Sequence, residues 1–395
     1  MGQKIAVFDY RIIPTNPIGG CHLYILQGLC HEHDFTVFAV EFENPCPERI
    51  RWVRIPAFTR PLALLFVLYH VFAPLYYWTY RLRHRIRFDL VQIVGSDVMF
   101  GNVAYVQFCN RTYLQHYWKQ SRPRGVRGWL RWLNHRLRSM LEPLVFRRVA
   151  SIVVPSQGLA RELATEYPHA RAKIHTIPNP VDVERMHPSE GFDRDVYRHG
   201  LRLCAEDILL VFVALGHFER KGLPLLLEAL GKLDDPRLKL VVVGGERDLV
   251  AVYQARVEQM GLSSHVQFAG MQQDIRSYLW AADAFVFPSF YEAFPLVALE
   301  AAACGLPLIV TPINGVEEFL SDGKNGILVA QTPEAVAYGL KRFLLLTPEA
   351  RRAMGREAQR DVERYRQERF VAAWRDLYAS WRGTRHHLET TCPAR

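Results

Sequence analysis

The sequence predicts an α/β protein built from two Rossmann-like domains, each with a parallel sheet. The chain has 395 residues, whereas a single hydrophobic core rarely grows beyond roughly 250 to 300 residues. Short apolar runs typical of buried strands alternate with helical patterns, and these runs form two separate series. Such alternation is typical of parallel sheets that helices cover on both faces. Two series therefore predict two such domains.

Each series contains five predicted strands. The first series consists of residues 4–9, 35–42, 89–94, 103–108 and 151–156. The second series consists of residues 208–216, 238–245, 266–270, 284–289 and 306–311. A polar stretch with three prolines, IPNPVDVERMHPSEGFD, separates them at 177–193. We therefore predict an N-terminal domain at 1–185, a C-terminal domain at 200–361 and a terminal tail at 383–395.

The composition excludes several classes of protein. Half of the residues are hydrophobic (49%) and 23% are charged, which indicates a globular rather than a disordered chain. The seven cysteines are scattered and form no C-x-x-C pair, which argues against both a disulfide framework and a structural zinc site. The N-terminal MGQKIAVFDY enters a strand pattern without the apolar core of a signal sequence. We therefore expect a cytoplasmic protein.

Positive charge is concentrated in the first half of the chain. Residues 1–200 hold 26 Lys and Arg against 16 Asp and Glu, whereas residues 201–395 hold 23 against 24. Residues 51–150 alone hold 17 basic and 3 acidic residues. Such a surplus indicates an anionic partner, for which nucleic acid, a phosphorylated substrate and lipid headgroups all qualify.

An uncharged apolar segment lies inside this basic region. PLALLFVLYHVFAPLYYWTY at 61–80 contains no charged residue, and RLRHRIR at 81–87 follows at once. Its length suggests a membrane-spanning helix, which needs about 20 apolar residues. However, it lies between two predicted strands of one sheet, and a span would separate them. Two main interpretations stay open: a helix buried in the domain, and a helix inserted at a membrane interface.

A second segment, at 118–148, combines nine basic residues and one acidic residue with three tryptophans, Trp118, Trp129 and Trp132. Basic side chains among tryptophans suit an anionic membrane, where each nearby Lys or Arg adds about 1 kcal/mol. A solvated basic helix face and an RNA-binding surface are the alternatives, although no RNA-binding motif supports the latter. We predict peripheral contact with an anionic membrane through 61–87 and 118–148, and no nucleic-acid partner.

The stretch SFYEAFPLVALEAAACGLPLIVT at 289–311 places Glu292 and Glu300 eight residues apart. A helix is predicted to begin at Phe294 and Pro295, and the amides of a first helical turn can bind a phosphate. Glu300 lies ~7.5 Å further along the helix axis, where a carboxylate can accept hydrogen bonds from ribose hydroxyls. Glu292 would then face the group attached to the diphosphate. The alternative is an ordinary polar loop with one buried glutamate.

Two further strand–turn–helix junctions accompany this stretch. GHFERKG at 216–222 places Arg220 and Lys221 at a turn, where two cations can bind a diphosphate and stabilise the charge that develops as it leaves. An exposed basic turn is the alternative. Gly19 and Gly20 open a helix after the first strand, which is also ordinary turn chemistry. The pair is not a G-x-G-x-x-G fingerprint, which weakens any case for an NAD enzyme.

Taken together, these motifs resemble retaining glycosyltransferases of family 4, which have the GT-B fold. In that fold two Rossmann-like domains face each other across a cleft. IPNPVD at 177–182 is similar to the family's IPNGVD, with Pro180 in place of glycine, and DGKNGILV at 322–329 is similar to its G-x-N-G turn. The resemblance covers nearly the whole chain. It implies that a helix at about 362–382 returns to the N-terminal domain.

The resemblance also implies a role for each matching residue. Glu292, Arg220 and Lys221 would be catalytic, and Glu300 would bind the donor ribose. The remaining donor contacts would come from Gly19, Gly20, Gly216, Phe294, Pro295 and Leu296. The reaction would move a sugar from a nucleotide diphosphate sugar, with UDP favoured, to a hydroxyl with retention of configuration. No cofactor and no metal are expected.

The acceptor is expected in the N-terminal domain near VQFCNRTYLQHYW at 106–118. Family members often place His or Asp in this region, whereas this chain has Gln107, Phe108 and Cys109 at the strand end. Asn110, Arg111 and Asp97 are the acceptor-site candidates. The basic, apolar domain favours a membrane-linked or surface-glycan acceptor, such as lipopolysaccharide, a lipid-linked oligosaccharide or a glycolipid.

The resulting expectation is a membrane-associated transferase on the inner face of the cytoplasmic membrane. A non-catalytic scaffold that binds nucleotide sugar or lipid is an alternative from a different class. A UDP-sugar epimerase with the same fold is another. A sugar phosphorylase is a third, but a recognisable site for pyridoxal phosphate or a phosphate acceptor is missing from the sequence.

Overall fold

A computed structural model describes residues 2–58, 62–123 and 125–389, with side chains described up to residue 381. The chain forms two compact units. Unit 1 comprises the described residues within Met1–Gln115, Gly125–Pro180 and Gln367–Arg395, and unit 2 those within His116–Arg124 and Val181–Arg366. Met1, Pro61 and Arg124, which fall in predicted segments, and residues 390–395 of the predicted tail lie outside the described residues.

Unit 1 is built on a parallel sheet. Its strands, numbered in chain order, are β1 (Lys4–Phe8), β2 (Arg11–Ile12), β3 (Asp34–Ala39), β4 (Glu41–Phe42), β5 (Arg51–Arg54), β6 (Leu90–Val94), β7 (Val103–Tyr105), β8 (Ser151–Val154) and β9 (Ile174–Thr176). Seven of them form a sheet in the order β5-β3-β1-β6-β7-β8-β9, while β2 pairs with β4. All of these pairs are parallel.

The helices of unit 1 are α1 (Pro17–Leu29), α2 (Leu62–His84), α3 (Asn110–Thr112), α5 (Gly125–Arg148), α6 (Gln157–Glu166) and the terminal α15 (Gln367–Glu389). A π-helical segment, Tyr113–Tyr117, follows α3, and a 3-10 segment, Pro168–Lys173, follows α6. Asn16 caps α1, because its side chain accepts hydrogen bonds from the Ile18 and Gly19 amides.

Unit 2 is a second parallel sheet of six strands. These are β10 (Ile208–Val213), β11 (Leu238–Val243), β12 (Val266–Gly270), β13 (Ala284–Phe287), β14 (Leu308–Val310) and β15 (Gly326–Leu328), in the order β12-β11-β10-β13-β14-β15. Its helices are α4 (Trp118–Ser121), α7 (Val183–Met186), α8 (Arg194–Gly200), α9 (Leu223–Leu233), α10 (Arg247–Gln259), α11 (Arg276–Ala281), α12 (Leu296–Ala303), α13 (Pro333–Leu344) and α14 (Pro348–Val362). Short 3-10 segments lie at Val316–Glu318 and Glu363–Tyr365.

All ten predicted strand segments contain a strand of the structure. Four strands of the described residues were not predicted, for identifiable reasons. β2 has only two residues. β5 (RWVR) is an edge strand that carries an arginine at each end and therefore lacks an apolar run. β9 and β15 have only three residues each. The unit boundaries also differ from the predicted domain ranges. The boundary lies after Pro180 rather than after residue 185, and the described residues within 116–124 belong to unit 2.

The terminal helix α15 packs in unit 1, as predicted for a returning helix, but it begins at Gln367 rather than near 362. Trp374 and Tyr378 are fully buried, and the Tyr378 hydroxyl donates to Gln92 Oε1 at 2.5 Å. Gly28 permits this close approach, because a Cβ there would lie 2.6 Å from Val371 Cγ1. The helix continues to Glu389, so part of the predicted tail is helical.

Helix α2 packs one face on the sheet of unit 1. Tyr69 and Tyr77 are buried, and the Tyr69 hydroxyl donates to the Phe38 carbonyl at 2.6 Å. This helix is long and apolar enough to cross a membrane, but the buried core helices of other proteins can be equally long and apolar. Only 28% of its most apolar window is buried, however. The helix is thus neither a fully buried core helix nor free of the sheet.

Both sheets share a topology that positions functional groups. In each sheet the chain order reverses direction beside the first strand, at β1/β6 in unit 1 and at β10/β13 in unit 2. Ligands of open parallel sheets bind beyond the carboxyl ends of the strands at such a switch point. The turns that follow β10 and β13 carry the predicted donor motifs. The fold therefore brings these motifs together.

Candidate active site

The turn between β10 and α9 is held close to the end of β13 by a glycine. Gly222 has φ of +82° and precedes the first residue of α9. A Cβ at this position would lie 2.0 Å from the Pro288 carbonyl oxygen, so the backbones meet where any side chain would clash. Glycine is required both by the left-handed conformation and by this approach. The two residues before it, Arg220 and Lys221, are thereby brought to the end of β13.

Glu292 gathers both cations on one carboxylate oxygen. Its Oε1 lies 2.6 Å from Lys221 Nζ and 3.1 Å from Arg220 Nη1. Ser289 donates a third hydrogen bond to the same oxygen at 3.0 Å. All three charged side chains are at least 84% buried. A buried carboxylate of this kind is tolerated only because it is paired and hydrogen-bonded.

The loop that carries Glu292 is anchored by its neighbours. Arg220 Nη1 also donates to the Tyr291 carbonyl at 2.6 Å, and the Phe290 amide donates to the Arg220 carbonyl at 2.8 Å. The Ser289 carbonyl accepts from Thr311 Oγ1 at 2.6 Å and from Gln331 Nε2 at 3.2 Å. The carboxylate is therefore held in position by several independent bonds, as a preorganised site requires.

Burial and the neighbouring charges both shift the pKa values of the side chains in this cluster. Burial lowers the pKa of Lys221 to about 8, although the neighbouring Glu292 carboxylate opposes the shift. Burial alone would raise the pKa of Glu292, but the charges of Arg220 and Lys221 and the hydrogen bonds from Lys221 and Ser289 outweigh it, so this pKa is lowered. Glu292 is consequently ionised at neutral pH. With both cations charged, the cluster carries a net charge of +1.

Glu300 occupies a different environment on the same motif. It is the fifth residue of α12 and is partly exposed. Burial of its carboxyl group raises its pKa to about 7, and the charge of Arg185 on α7 offsets this shift only in part. Asp274 adds a smaller effect in the raising direction. The two glutamates of the motif therefore differ in charge state near neutral pH.

The start of α12 differs from its prediction by one position. Pro295 is the N-cap residue rather than the first helical residue, and in the described part of the chain no side chain caps this helix. A first turn without a cap suits an anion, which the helix dipole and the amides would both attract. Phe294 is buried and contacts the Tyr365 ring at a centroid distance of 5.4 Å. Its side chain thus packs in the core.

The predicted glycines have distinct surroundings. A Cβ on Gly19 would lie 2.2 Å from the Arg11 carbonyl oxygen, so this glycine is required for packing. The amides of Gly19 and Gly20 already donate to Asn16, at 3.1 and 2.7 Å. Gly20 and Gly216 themselves border space that a Cβ could enter without a clash. Their roles in donor binding stay predictions.

Asp97, one of the acceptor candidates, lies at the switch point of unit 1. Its Oδ1 accepts from Arg138 Nη1 at 2.6 Å, and Arg138 Nη2 donates to the Tyr10 hydroxyl at 3.1 Å. Asp97 is 1% exposed. Burial raises its pKa, an effect that the Arg138 charge opposes. The structure thus places Asp97 in a buried ion pair, and its role toward an acceptor stays a prediction.

Asn110 is likewise buried and fully engaged. Glu142 Oε1 accepts from its amide at 3.1 Å and from Nδ2 at 2.6 Å, while Glu142 Oε2 accepts from the Tyr167 hydroxyl at 2.5 Å. Asn110 Oδ1 lies 2.7 Å from His135 Nδ1. Arg111 instead stacks over the Tyr167 ring, 4.7 Å from its centroid, and is partly exposed. Their acceptor roles also stay predictions.

The sequence interpretation missed several residues of this site. Ser289 and the carbonyl of Tyr291 orient the Glu292–Arg220 pair, and Arg185 lies close enough to influence Glu300. Ser289 and Tyr291, three residues and one residue before Glu292, gave no signal in the sequence, because serine and tyrosine are common in loops. Arg185 lies more than a hundred residues away in sequence, so only the fold shows its proximity.

Comparisons with known proteins agree with this geometry. A model of "Glycosyl transferases group 1" matches residues 195–361, and a model of "Glycosyltransferase Family 4" matches residues 23–185. The chain belongs to glycosyltransferase family 4. The two matches together span most of both units.

Relatives and solved structures of this family support the assignment. A D-inositol 3-phosphate glycosyltransferase of Jonesia denitrificans is 29% identical over 242 residues, which cover 58% of this chain and 57% of that protein. The chain thus spans about three fifths of the length of this curated relative. WaaG, a glycosyltransferase involved in lipopolysaccharide biosynthesis, has a TM-score of 0.72 at 19% identity, with 91% and 95% of the two chains covered.

The Anabaena protein HepE, solved in complex with UDP-glucose, has a TM-score of 0.73 at 17% identity, with 96% of this chain and 100% of that chain covered. At such identities the likeness shows the fold alone. The fold is accordingly GT-B, as the sequence motifs predicted.

Replacing Gly222 with alanine should disrupt the site through its backbone. The added Cβ would meet the Pro288 carbonyl, so we expect a loss of at least about 1 kcal/mol in the free energy of unfolding. Chemical denaturation followed by circular dichroism would measure this loss. Gly231 offers a matched control in the same helix, since a Cβ there meets open space. Gly231→Ala should stabilise the protein by up to about 1 kcal/mol. Equal effects of the two variants would contradict the packing argument.

Proposed function

We propose that this protein transfers a sugar from a nucleoside diphosphate sugar to a hydroxyl group of a membrane-linked or surface-glycan acceptor, with retention of configuration. The observation that carries the proposal is the placement of Arg220 and Lys221 on Glu292, at the switch point of unit 2. Membership of glycosyltransferase family 4 supports it. The complex of HepE with UDP-glucose favours a UDP-sugar as donor.

The two cations would act on the diphosphate. As the bond between the sugar and the diphosphate breaks, negative charge develops on the leaving phosphate. A guanidinium and an ammonium held in a largely buried cluster stabilise this charge more strongly than water does. They can supply the positive charge for which other transferases use a divalent ion, so the proposed reaction is metal-independent. It also requires no cofactor.

The two glutamates would divide the recognition of the donor. Glu300, on the fifth position of α12, accepts hydrogen bonds from the ribose hydroxyls, while the first turn of the helix faces the diphosphate. Glu292 orients the two cations and contacts the transferred sugar or its phosphate. A carboxylate that the protein holds in place contributes to the transition state without reorganisation.

A hydrolysis screen would test the proposal. Purified protein is incubated with UDP-, GDP- and ADP-sugars without acceptor, and the released nucleotide is quantified by chromatography. We expect release from one donor class. Lys221→Ala and Glu292→Gln should each lower the rate at least about 100-fold, the order of effect expected when one electrostatic contact to the leaving charge is removed. Lys232→Ala serves as control, because Lys232 forms an exposed ion pair with Glu334 in the same unit.

The outcomes of this screen distinguish the alternatives. Donor binding by thermal shift, without release in the presence of a range of acceptors, would favour a non-catalytic scaffold. Conversion of a UDP-sugar into its epimer would favour the epimerase. A Lys232→Ala variant as impaired as Lys221→Ala would indicate general destabilisation and remove the support for the buried cations.

The pKa values of the site predict a bell-shaped pH dependence of kcat/KM for the donor. Glu300, with a pKa of about 7, becomes a carboxylate as the pH rises, and Lys221, with a pKa of about 8, loses its charge above that value. The rate should thus rise toward about pH 7 and fall above about pH 8. Lys221→Arg should move the alkaline limb to higher pH. Glu300→Gln should abolish the acid limb. An unchanged profile in both variants would contradict the assignment.

We further propose that unit 1 binds an anionic membrane through α2 and α5, which contact each other. Their exposed large apolar residues are Leu62, Leu64, Val67, Val71, Leu75, Trp78 and Leu82 on α2, and Val126, Trp129, Trp132, Met140 and Leu144 on α5. Isolated exposed apolar residues are ordinary, but a series of this length on adjoining helices marks an interaction site. We call these twelve residues the apolar face.

Charge selects the partner of the apolar face. The exposed arginines on or beside these helices are Arg83, Arg85, Arg87, Arg122, Arg127, Arg136, Arg147 and Arg148. Arginine and tryptophan together suit the headgroup region of an anionic bilayer, because the ring enters the interface while the cation meets lipid phosphate. Such a location brings the enzyme to a lipid-linked acceptor. We place the protein on the cytoplasmic side of the membrane on this basis.

Vesicle sedimentation would test the membrane contact. Binding to phosphatidylcholine vesicles should increase when phosphatidylglycerol is added and decrease at high salt, as expected for a surface attraction that salt screens. Val71→Asp should weaken binding at least about tenfold, since it places a carboxylate against the bilayer. Val252→Asp on α10 is a matched control, because Val71 and Val252 are 58% and 65% exposed. Equal binding of both variants would overturn this proposal.

A further inference from the structure

Three potential metal ligands converge where α1 ends. Cys30 immediately follows α1, His31 comes next, and Cys46 lies in the loop between β4 and β5. One ligand atom of each residue lies within 4.8 Å of the corresponding atoms of the other two. The two cysteines are buried, with 4% and 7% exposure, whereas His31 is exposed. Two thiols and an imidazole therefore meet at a site with access to solvent.

A carboxylate adds a fourth ligand to this group. Glu48 Oε1 lies 2.9 Å from Cys46 Sγ, and the thiol donates a hydrogen bond to it. The side chain of Glu48 is exposed and can turn toward the cluster. Cysteine, histidine and glutamate are the ligand types that zinc takes in proteins, and four of them complete a tetrahedron.

The loop that carries two of the ligands is already ordered. Asn44 Oδ1 accepts from the Cys46 amide at 3.0 Å, and Asn44 Nδ2 donates to the Ile50 carbonyl at 2.9 Å. The Arg49 and Ile50 amides both donate to the Cys46 carbonyl, at 3.0 and 2.9 Å. On the other side, the C-terminal end of α1 carries the negative end of the helix dipole, which favours a cation.

We propose that the reduced protein binds one Zn²⁺ through Cys30, His31, Cys46 and Glu48. Thiolate sulfurs at 2.3 Å from zinc in a tetrahedron are about 3.8 Å apart, so the ligand atoms need to approach by only about 1 Å. Each thiol loses its proton on binding, and the ion is held by two thiolates, an imidazole and a carboxylate. Binding of one Zn²⁺ thus releases two protons to the solvent.

A zinc ion at this site would join two parts of unit 1. It would link the end of α1 to the loop that leads into β5, the edge strand of the sheet. A disulfide between Cys30 and Cys46 is the alternative use of the two thiols. It would leave the convergence of His31 and Glu48 unexplained, and in a reducing compartment such groups more often bind metal. The site is structural, and it lies outside the donor-binding residues of unit 2.

Metal analysis of the full-length protein tests this proposal. Protein purified with a phosphine reductant and stripped with a chelator is supplied with Zn²⁺ or Co²⁺ and passed through a desalting column. We expect one zinc per chain, release of two protons detected with a pH indicator, and a thiolate-to-metal charge-transfer band with Co²⁺. Zinc should also raise the melting temperature.

Variants assign the ligands. His31 is exposed, so His31→Ala should not disturb folding and is tested first. It should weaken zinc binding at least about tenfold. Cys46→Ser should lower the intensity of the charge-transfer band, because one of the two thiolates is lost. Cys204→Ser is the matched control, since Cys204 is an exposed thiol in unit 2. Absence of bound zinc, a cobalt spectrum without the thiolate band, or a Cys30–Cys46 disulfide in the presence of reductant and metal would each overturn the proposal. Equal zinc binding by His31→Ala and Cys204→Ser would do the same.

Discussion

The contact between the Glu292 carboxylate and the two cations Arg220 and Lys221 is the interaction on which the site depends. Each of these charges would be costly in a largely buried position by itself, and only their mutual pairing makes the cluster stable. The pairing in turn requires that the turn after β10 reach the end of β13. That approach exists because the two strands are neighbours at the switch point, and because Gly222 has no side chain to separate them.

The sheet of unit 1 has the same kind of switch point as the sheet of unit 2, but the polar groups of unit 1 are arranged differently. Two buried acidic groups of this unit are already paired, Asp97 with Arg138 and Glu142 with Asn110 and Tyr167. The amides at the start of α1 donate to Asn16, whereas in the described part of the chain no side chain caps α12. The interior of unit 1 thus holds paired polar groups, while large apolar side chains are exposed on α2 and α5.

Local sequence patterns predicted most of the fold because buried parallel strands are continuous apolar runs. The strand β5 escaped prediction since Arg51 and Arg54 interrupt any such run at the sheet edge. The eight-residue spacing of Glu292 and Glu300 led to the prediction of a donor motif, but nothing in it revealed the hydrogen bond from Ser289 to Glu292. The proximity of residues distant in sequence, such as Arg185 and Glu300 or Cys30 and Cys46, depends on how loops fold back. The sequence likewise gave no sign that Cys30, His31 and Cys46 lie close together, because spacing in sequence does not measure separation in space.

The two glutamates of the motif show why their spacing alone could not assign their roles. Glu292 is buried, but two cations keep it ionised, and its pKa is lowered. Glu300 is more exposed, yet desolvation of its carboxyl group raises its pKa to about 7 because Arg185 compensates only in part. Environments that separate the pKa values of paired carboxylates are how proteins assign them different tasks. A carboxylate fixed between cations suits charge placement beside a leaving phosphate. A carboxyl group with a pKa of about 7 changes its charge near neutrality, so its ability to accept hydrogen bonds depends on pH.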